Sequence, residues 1–115
     1  MKFCNKYIGV PKELFVNPKY NHLSSDSKLL YAFILDRFHL SSINNWKDEN
    51  DNIYLIFTIK DIQKLFYLSD KTVTKAFKEL NDCNLIYEKK QGRNKLNLIY
   101  PCKIYDSGIG KFTTK

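Results

Sequence analysis

The order of elements legible in this sequence predicts an α+β fold of the winged helix-turn-helix type, and three observations carry that prediction. A strongly apolar stretch opening at Ser24-Ser25-Asp26 reads as a central helix. Two shorter helical patterns follow, with only three or four residues between them. Two apolar segments near 85–90 and 96–100 then flank a Gly- and Asn-containing loop. Helix, strand, helix, tight turn, helix and hairpin, in that order, is the winged-helix topology. The 115 residues fit one domain. We assign the winged helix to residues 1–100 and the unpatterned stretch 101–115 to the start of a linker.

Taken in order, Tyr7 to Phe15 reads as extended chain entering a short helical turn, with Pro11 near its start and Pro18 ending it. Tyr7 and the other N-terminal aromatics are expected in the core. The helix from Ser24 to about Leu40 is apolar around most of its circumference through Leu29–Leu35, the pattern of a core helix. Ser41 to Asn52 is polar and Asn-rich and reads as a loop, with Trp46 expected in the core or an interface. Asp48, Asn50 and Asn52 alternate like the start of a calcium loop. Ile53 and Ile59 occupy the places of the required Gly and Glu, so calcium binding is rejected.

Ile53 to Phe57, β-branched and aromatic, reads as a strand. Thr58 with Asp61 three residues on resembles a capping box for a helix placing Ile59, Ile62, Leu65 and Phe66 on one face. That helix ends near Tyr67-Leu68, and Ser69 caps the next, Asp70 to about Asn81. Val73, Ala76, Phe77 and Leu80 recur there at core spacing. Asn81 to Asn84 is turn chemistry, and Gln91 to Lys95 suits a hairpin loop.

The composition is ordinary for a globular chain, 43% apolar and 27% charged. The run Leu29–Leu35 is too short to span a bilayer, and the first six residues lack a signal-peptide core, so a cytoplasmic protein with no membrane partner is expected. Cys4, Cys83 and Cys102 are widely spaced, and His22 and His39 are solitary. These read as reduced thiols and lone histidines, with no metal or cofactor expected. There is no phosphate loop, dinucleotide fingerprint or catalytic triad pattern, and no enzyme is expected. The net charge of +7 points to an anionic partner, but 17 of the 19 basic residues are Lys in an Asn- and Ile-rich chain. Distribution carries more than the total: residues 83–115 hold +5, whereas 21–57 hold −2.

Two places concentrate the charge. At about 100° per residue, Lys71, Lys75 and Lys78 fall within roughly 60° of one another, opposite the core face of the 70–81 helix. Thr72 and Thr74 flank them. Lys89, Lys90, Arg93 and Lys95 surround Gly92 in the hairpin. A Lys-lined helix face alone is usually only a solvated face, and Asp70 and Glu79 work against phosphate; Asp70 suits the helix N-terminus and Glu79 lies toward the edge of the exposed face. Together, in winged-helix order, the two features predict binding of double-stranded DNA. Lys71, Thr72, Thr74, Lys75 and Lys78 would enter the major groove. Lys90, Gln91, Arg93, Asn94 and Lys95 would grip the flanking backbone or minor groove.

Several stretches resemble a known family. These are Val10 to Phe15, Pro18-Lys19-Tyr20, Leu23-Ser24 with Asp26 to Tyr31, Leu35-Asp36-Arg37, Asn44-Asn45-Trp46 with Asp48-Glu49, Gln91-Gly92, and Lys95 to Tyr100. They resemble the N-terminal-domain family of the plasmid replication initiator RepA, found on low-GC Gram-positive plasmids including staphylococcal ones. The likeness covers about residues 7–100 and is looser across the 70–81 helix. It implies a winged helix that recognises repeated origin sequences (iterons), often as a homodimer, to start plasmid replication. It also implies a C-terminal region, beyond this chain, that meets host replication proteins. Two rival functions stay open: a winged-helix transcriptional repressor, and a protein-interaction module of a helicase-loading complex.

Overall fold

A computed structural model describes residues 7–43, 45–92 and 97–102. Its elements run α1 (Glu13–Val16), α2 (Ser25–Ile43), α3 (Ile59–Phe66), α4 (Asp70–Asp82), β1 (Ile86–Lys89) and β2 (Leu98–Pro101). This is the winged helix-turn-helix order. None of these helices is long and apolar enough to cross a membrane.

Segment 7–10 alternates: Ile8 and Val10 pack against the core, which sends Tyr7 and Gly9 outward. Tyr7 is 82% exposed through this extended-chain alternation and Phe15, on α1, is 57% exposed, so the expectation of core residues fails for both. α2 begins where the Ser24 hydroxyl accepts from the Ser27 amide at 3.2 Å. Leu30 to Ile34 are all buried, as an all-round apolar helix requires. α2 continues to Ile43, three residues past the expected end, because its polar last turn reads as loop composition while remaining compatible with a helix. The core gathers Leu14, Tyr20, α2, Phe57, Ile62 and the inner faces of α4 and the hairpin. Phe33 sits edge-on to both Phe57 and Phe66, with ring centres 5.8 and 5.7 Å away.

The predicted strand 53–57 is not a continuous strand. Leu55 alone pairs with β2, exchanging both backbone hydrogen bonds with Ile99 at 2.8 and 2.9 Å, and Ile53 bridges back to Lys47. Buried Leu55 and Phe57 alternate with half-buried neighbours, so the burial period is β-like although the ladder is one pair long. The 48–52 loop closes on the Asp48 carboxylate, which accepts from the Asn50 and Asn52 amides at 2.8 and 2.9 Å and from the Tyr100 hydroxyl at 2.8 Å. These bonds, the Asn52 amide first, hold Asp48 below the usual carboxylate range. Trp46 is 41% exposed and stacks on Tyr54, rather than lying in the core.

β1 and β2 pair antiparallel with Tyr87 opposite Tyr100 and Lys89 opposite Leu98. Pro101 closes the ladder opposite Ile86, at a strand end where its missing N–H is tolerated. The Tyr31 hydroxyl donates to the Cys102 carbonyl at 2.8 Å and so ties α2 to the end of β2.

Candidate nucleic-acid interface

α3 and α4 form the two-helix unit. Thr58 caps α3 through a complete capping box: its hydroxyl accepts from the Asp61 amide at 3.1 Å, and Asp61 accepts from the Thr58 amide at 2.9 Å. Tyr67 ends α3 in the left-handed region at φ 56°, donating its amide to the Gln63 carbonyl at 2.8 Å. Two residues later the Ser69 hydroxyl accepts from the Thr72 amide at 3.1 Å and starts α4. The turn is therefore three residues, 67–69.

Val73, Ala76, Phe77 and Leu80 are buried on the inner face of α4. On the outer face Lys71, Thr74, Lys75 and Lys78 are exposed, and Thr72 is half-buried. Two of these groups have local partners. The Thr74 hydroxyl donates to Asp70 at 3.3 Å, and Lys78 pairs with Asp82 at 3.4 Å. Such an exposed i,i+4 pair contributes little and is easily exchanged for another anion. Thr72 is partly committed to the cap, accepting from the Ser69 hydroxyl at 2.9 Å.

Glu79 departs from its expected place on the rim of the exposed face. It turns toward the start of α2, where its carboxylate accepts from the Ser24 amide at 3.2 Å, the Ser24 hydroxyl at 2.9 Å and the Ser27 hydroxyl. Partial burial alone would raise this carboxyl. The hydrogen bonds from Ser27 and Ser24, with Lys75 nearby, outweigh it and hold Glu79 below its ordinary value. These bonds draw the carboxylate from the edge of the exposed face toward α2, with Lys75 the cation that still feels its charge.

In the hairpin, Lys89, Lys90, Gln91 and Gly92 are exposed. Gly92 has φ +121°, a conformation that side chains with a Cβ rarely adopt, so glycine suits this turn. Arg93, Asn94 and Lys95 lie outside the described residues. The hairpin is fixed beside α4 by a link that sequence spacing had not indicated. Asn81 donates its side-chain amide to Glu88 on β1 at 2.8 Å and to the Phe77 carbonyl at 3.0 Å, and Asn97 reaches the other Glu88 oxygen at 3.5 Å. Between α3, α4 and the hairpin lies a cleft of about 560 Å³, with Thr58, Thr74, Lys78, Asn81 and Glu88 on its walls. The structure therefore sets the cationic face of α4 and the base of the basic hairpin on either side of one cleft.

The chain matches known proteins over most of its length. A "41 kDa protein" of Lactobacillus helveticus is 40% identical over 98 residues, which are 83% of this chain and 27% of that relative. This chain thus spans about a quarter of that relative's length. Three solved chains share the fold over 90% of this chain. One described as "Structure of Rep-DNA complex" has a TM-score of 0.79 at 31% identity over 79% of its length. Another, "N-Terminal domain of DNA binding protein", has 0.78 at 32% over 79%. The third, "Structure of MDR initiator", has 0.77 at 37% over 81%. The family model for the N-terminus of replication initiator protein A matches residues 6–112. By that match the chain belongs to the RepA N-terminal family of replication initiators.

Proposed function

We propose that this chain is the part of a plasmid replication initiator that recognises double-stranded DNA, reading origin repeats with α4 while the hairpin grips the flanking backbone or minor groove. The observation that carries the reading is the exposed row Lys71, Thr74, Lys75 and Lys78, opposite a fully apolar inner face, with a basic hairpin pinned beside it. A groove about 12 Å wide admits one helix, and long cations beside Thr hydroxyls suit phosphates and base edges. A similar chain described as a Rep–DNA complex supports the same use of the fold. In this reading the domain acts by binding rather than by catalysis, in the cytoplasm and as a homodimer. Beyond this winged helix, to which Pro101 and Cys102 still belong, a C-terminal region meets host replication proteins.

Footprinting on the chain's own plasmid, followed by binding measured against salt for Lys75→Ala and Arg93→Ala, tests the proposal. Each lost phosphate contact lowers the salt slope by about one unit. Loss of a base-reading group instead costs about 1–3 kcal/mol and changes the preferred sequence. Protection of direct repeats within an origin supports the initiator reading, and a palindrome over a promoter supports a repressor. Wild-type affinity and slope in both variants would refute the surface, and binding without sequence preference would favour an interaction module.

A further inference from the structure

We infer that Tyr67 is a DNA-backbone contact of the helix-turn-helix turn, its phenol donating to a phosphate oxygen and so setting how α4 seats. The inference rests on the DNA-binding reading above.

Tyr67 is 92% exposed, more than any other large hydrophobic side chain described. Among the described residues its side chain makes no hydrogen bond and no ring contact. Its backbone is left-handed, φ 56° and ψ 42°, because the end of α3 must reverse there. That conformation crowds a Cβ against the following carbonyl, and glycine or asparagine fits it best. Nor does the fold need an aromatic anchor at this point. The adjacent Leu68 is half-buried and packs on the core, which already holds the turn down.

An unfavourable backbone conformation thus carries a large, amphipathic side chain that stabilises nothing in the domain. Its place gives the reason. The turn leads directly into α4, whose first turn holds Lys71 and Thr72, so a group here stands beside the part of the helix that meets the groove. Tyrosine is one of the neutral side chains that bond phosphate oxygens, and such bonds fix register without reading sequence. Being neutral, the phenol releases no counterion when it binds.

The test uses the 115-residue chain and the strongest duplex recovered from a random 20-base-pair library. Affinity is measured across salt concentration, and melting temperature without DNA. Tyr67→Asn is expected to melt at or above the wild-type temperature, because asparagine tolerates the left-handed backbone. It is expected to bind about tenfold more weakly, the loss of one hydrogen bond to a charged oxygen, with an unchanged salt slope. Tyr67→Phe keeps the ring, removes the donor and shows most of the same loss. Lys75→Ala, in parallel, shows the lowered slope of a cationic contact.

If Lys75→Ala weakens binding while Tyr67→Asn or Tyr67→Phe binds like wild type, the interface stands and the role of Tyr67 is overturned. A lower melting temperature for Tyr67→Asn overturns it too, because the ring then serves the fold. If the wild-type chain recovers no duplex, the DNA reading fails and the inference falls with it.

Discussion

Replacing Glu79 separates two incompatible views of the outer face of α4. If its carboxylate lay among the lysines, removing it would strengthen DNA binding. Instead the carboxylate holds the Ser24 amide, the Ser24 hydroxyl and the buried Ser27 hydroxyl, joining α4 to the first turn of α2. Hydrogen bonds to a charged group contribute about 1.5–3 kcal/mol each in sheltered positions. This group is half-buried and the three bonds share one oxygen, so the set is worth less than three such bonds. Glu79→Ala is expected to cost about 2–3 kcal/mol and, in a domain of this size, to lower the melting temperature by roughly 10 °C. Glu79→Gln keeps an acceptor and loses the charge beside the N-terminus of α2, for about 1 kcal/mol. Because the folded protein holds this carboxyl below its ordinary value, its contribution is complete above about pH 4.5 and disappears as pH falls through the folded value. The Gln variant therefore has a shallower acid limb. Thermal unfolding by circular dichroism between about pH 3 and 7 reads both effects, with DNA binding measured in parallel. The reasoning is refuted if Glu79→Ala melts within about 2 °C of wild type. Tighter DNA binding by that variant would refute it as well.

Two further outcomes follow from the core and the hairpin. Tyr100 is pushed up to about 12 by partial burial and by its hydrogen bond to the Asp48 carboxylate. Its contribution to stability is complete below about pH 10 and is lost as pH rises through the folded value. Burial also raises the Tyr31 phenol, so an ultraviolet titration of tyrosinate should show late-titrating phenols, with one fewer in Tyr100→Phe; a late component unchanged by that substitution would deny the Asp48 contact. Leu80 is fully buried in α4, so Leu80→Ala is expected to cost about 2–5 kcal/mol in urea unfolding. A cost below about 1 kcal/mol would mean that α4 does not pack as described.

Local chemistry determined much of this protein. Periodicity separated the buried Val73, Ala76, Phe77 and Leu80 from the exposed lysines, because helical geometry depends only on sequence spacing. The Thr58–Asp61 box and the Ser69 cap were equally legible, since each joins residues three apart. The hairpin and its Gly-containing turn could be placed, though not its exact strand ends.

Tertiary structure decided what depends on chain reversal. Glu79 and Ser24 are 55 residues apart, so no local pattern could show that this carboxylate is drawn toward α2. Asn81 looked like turn chemistry, yet it joins the hairpin to α4 through Glu88. Segment 53–57 has strand composition, but a ladder needs a partner, and only Leu55 meets one. Tyr67 read as the end of a helix, and only the fold shows its ring standing free on a left-handed residue. Sequence spacing determines which face of an element a side chain occupies, and packing decides what that face meets.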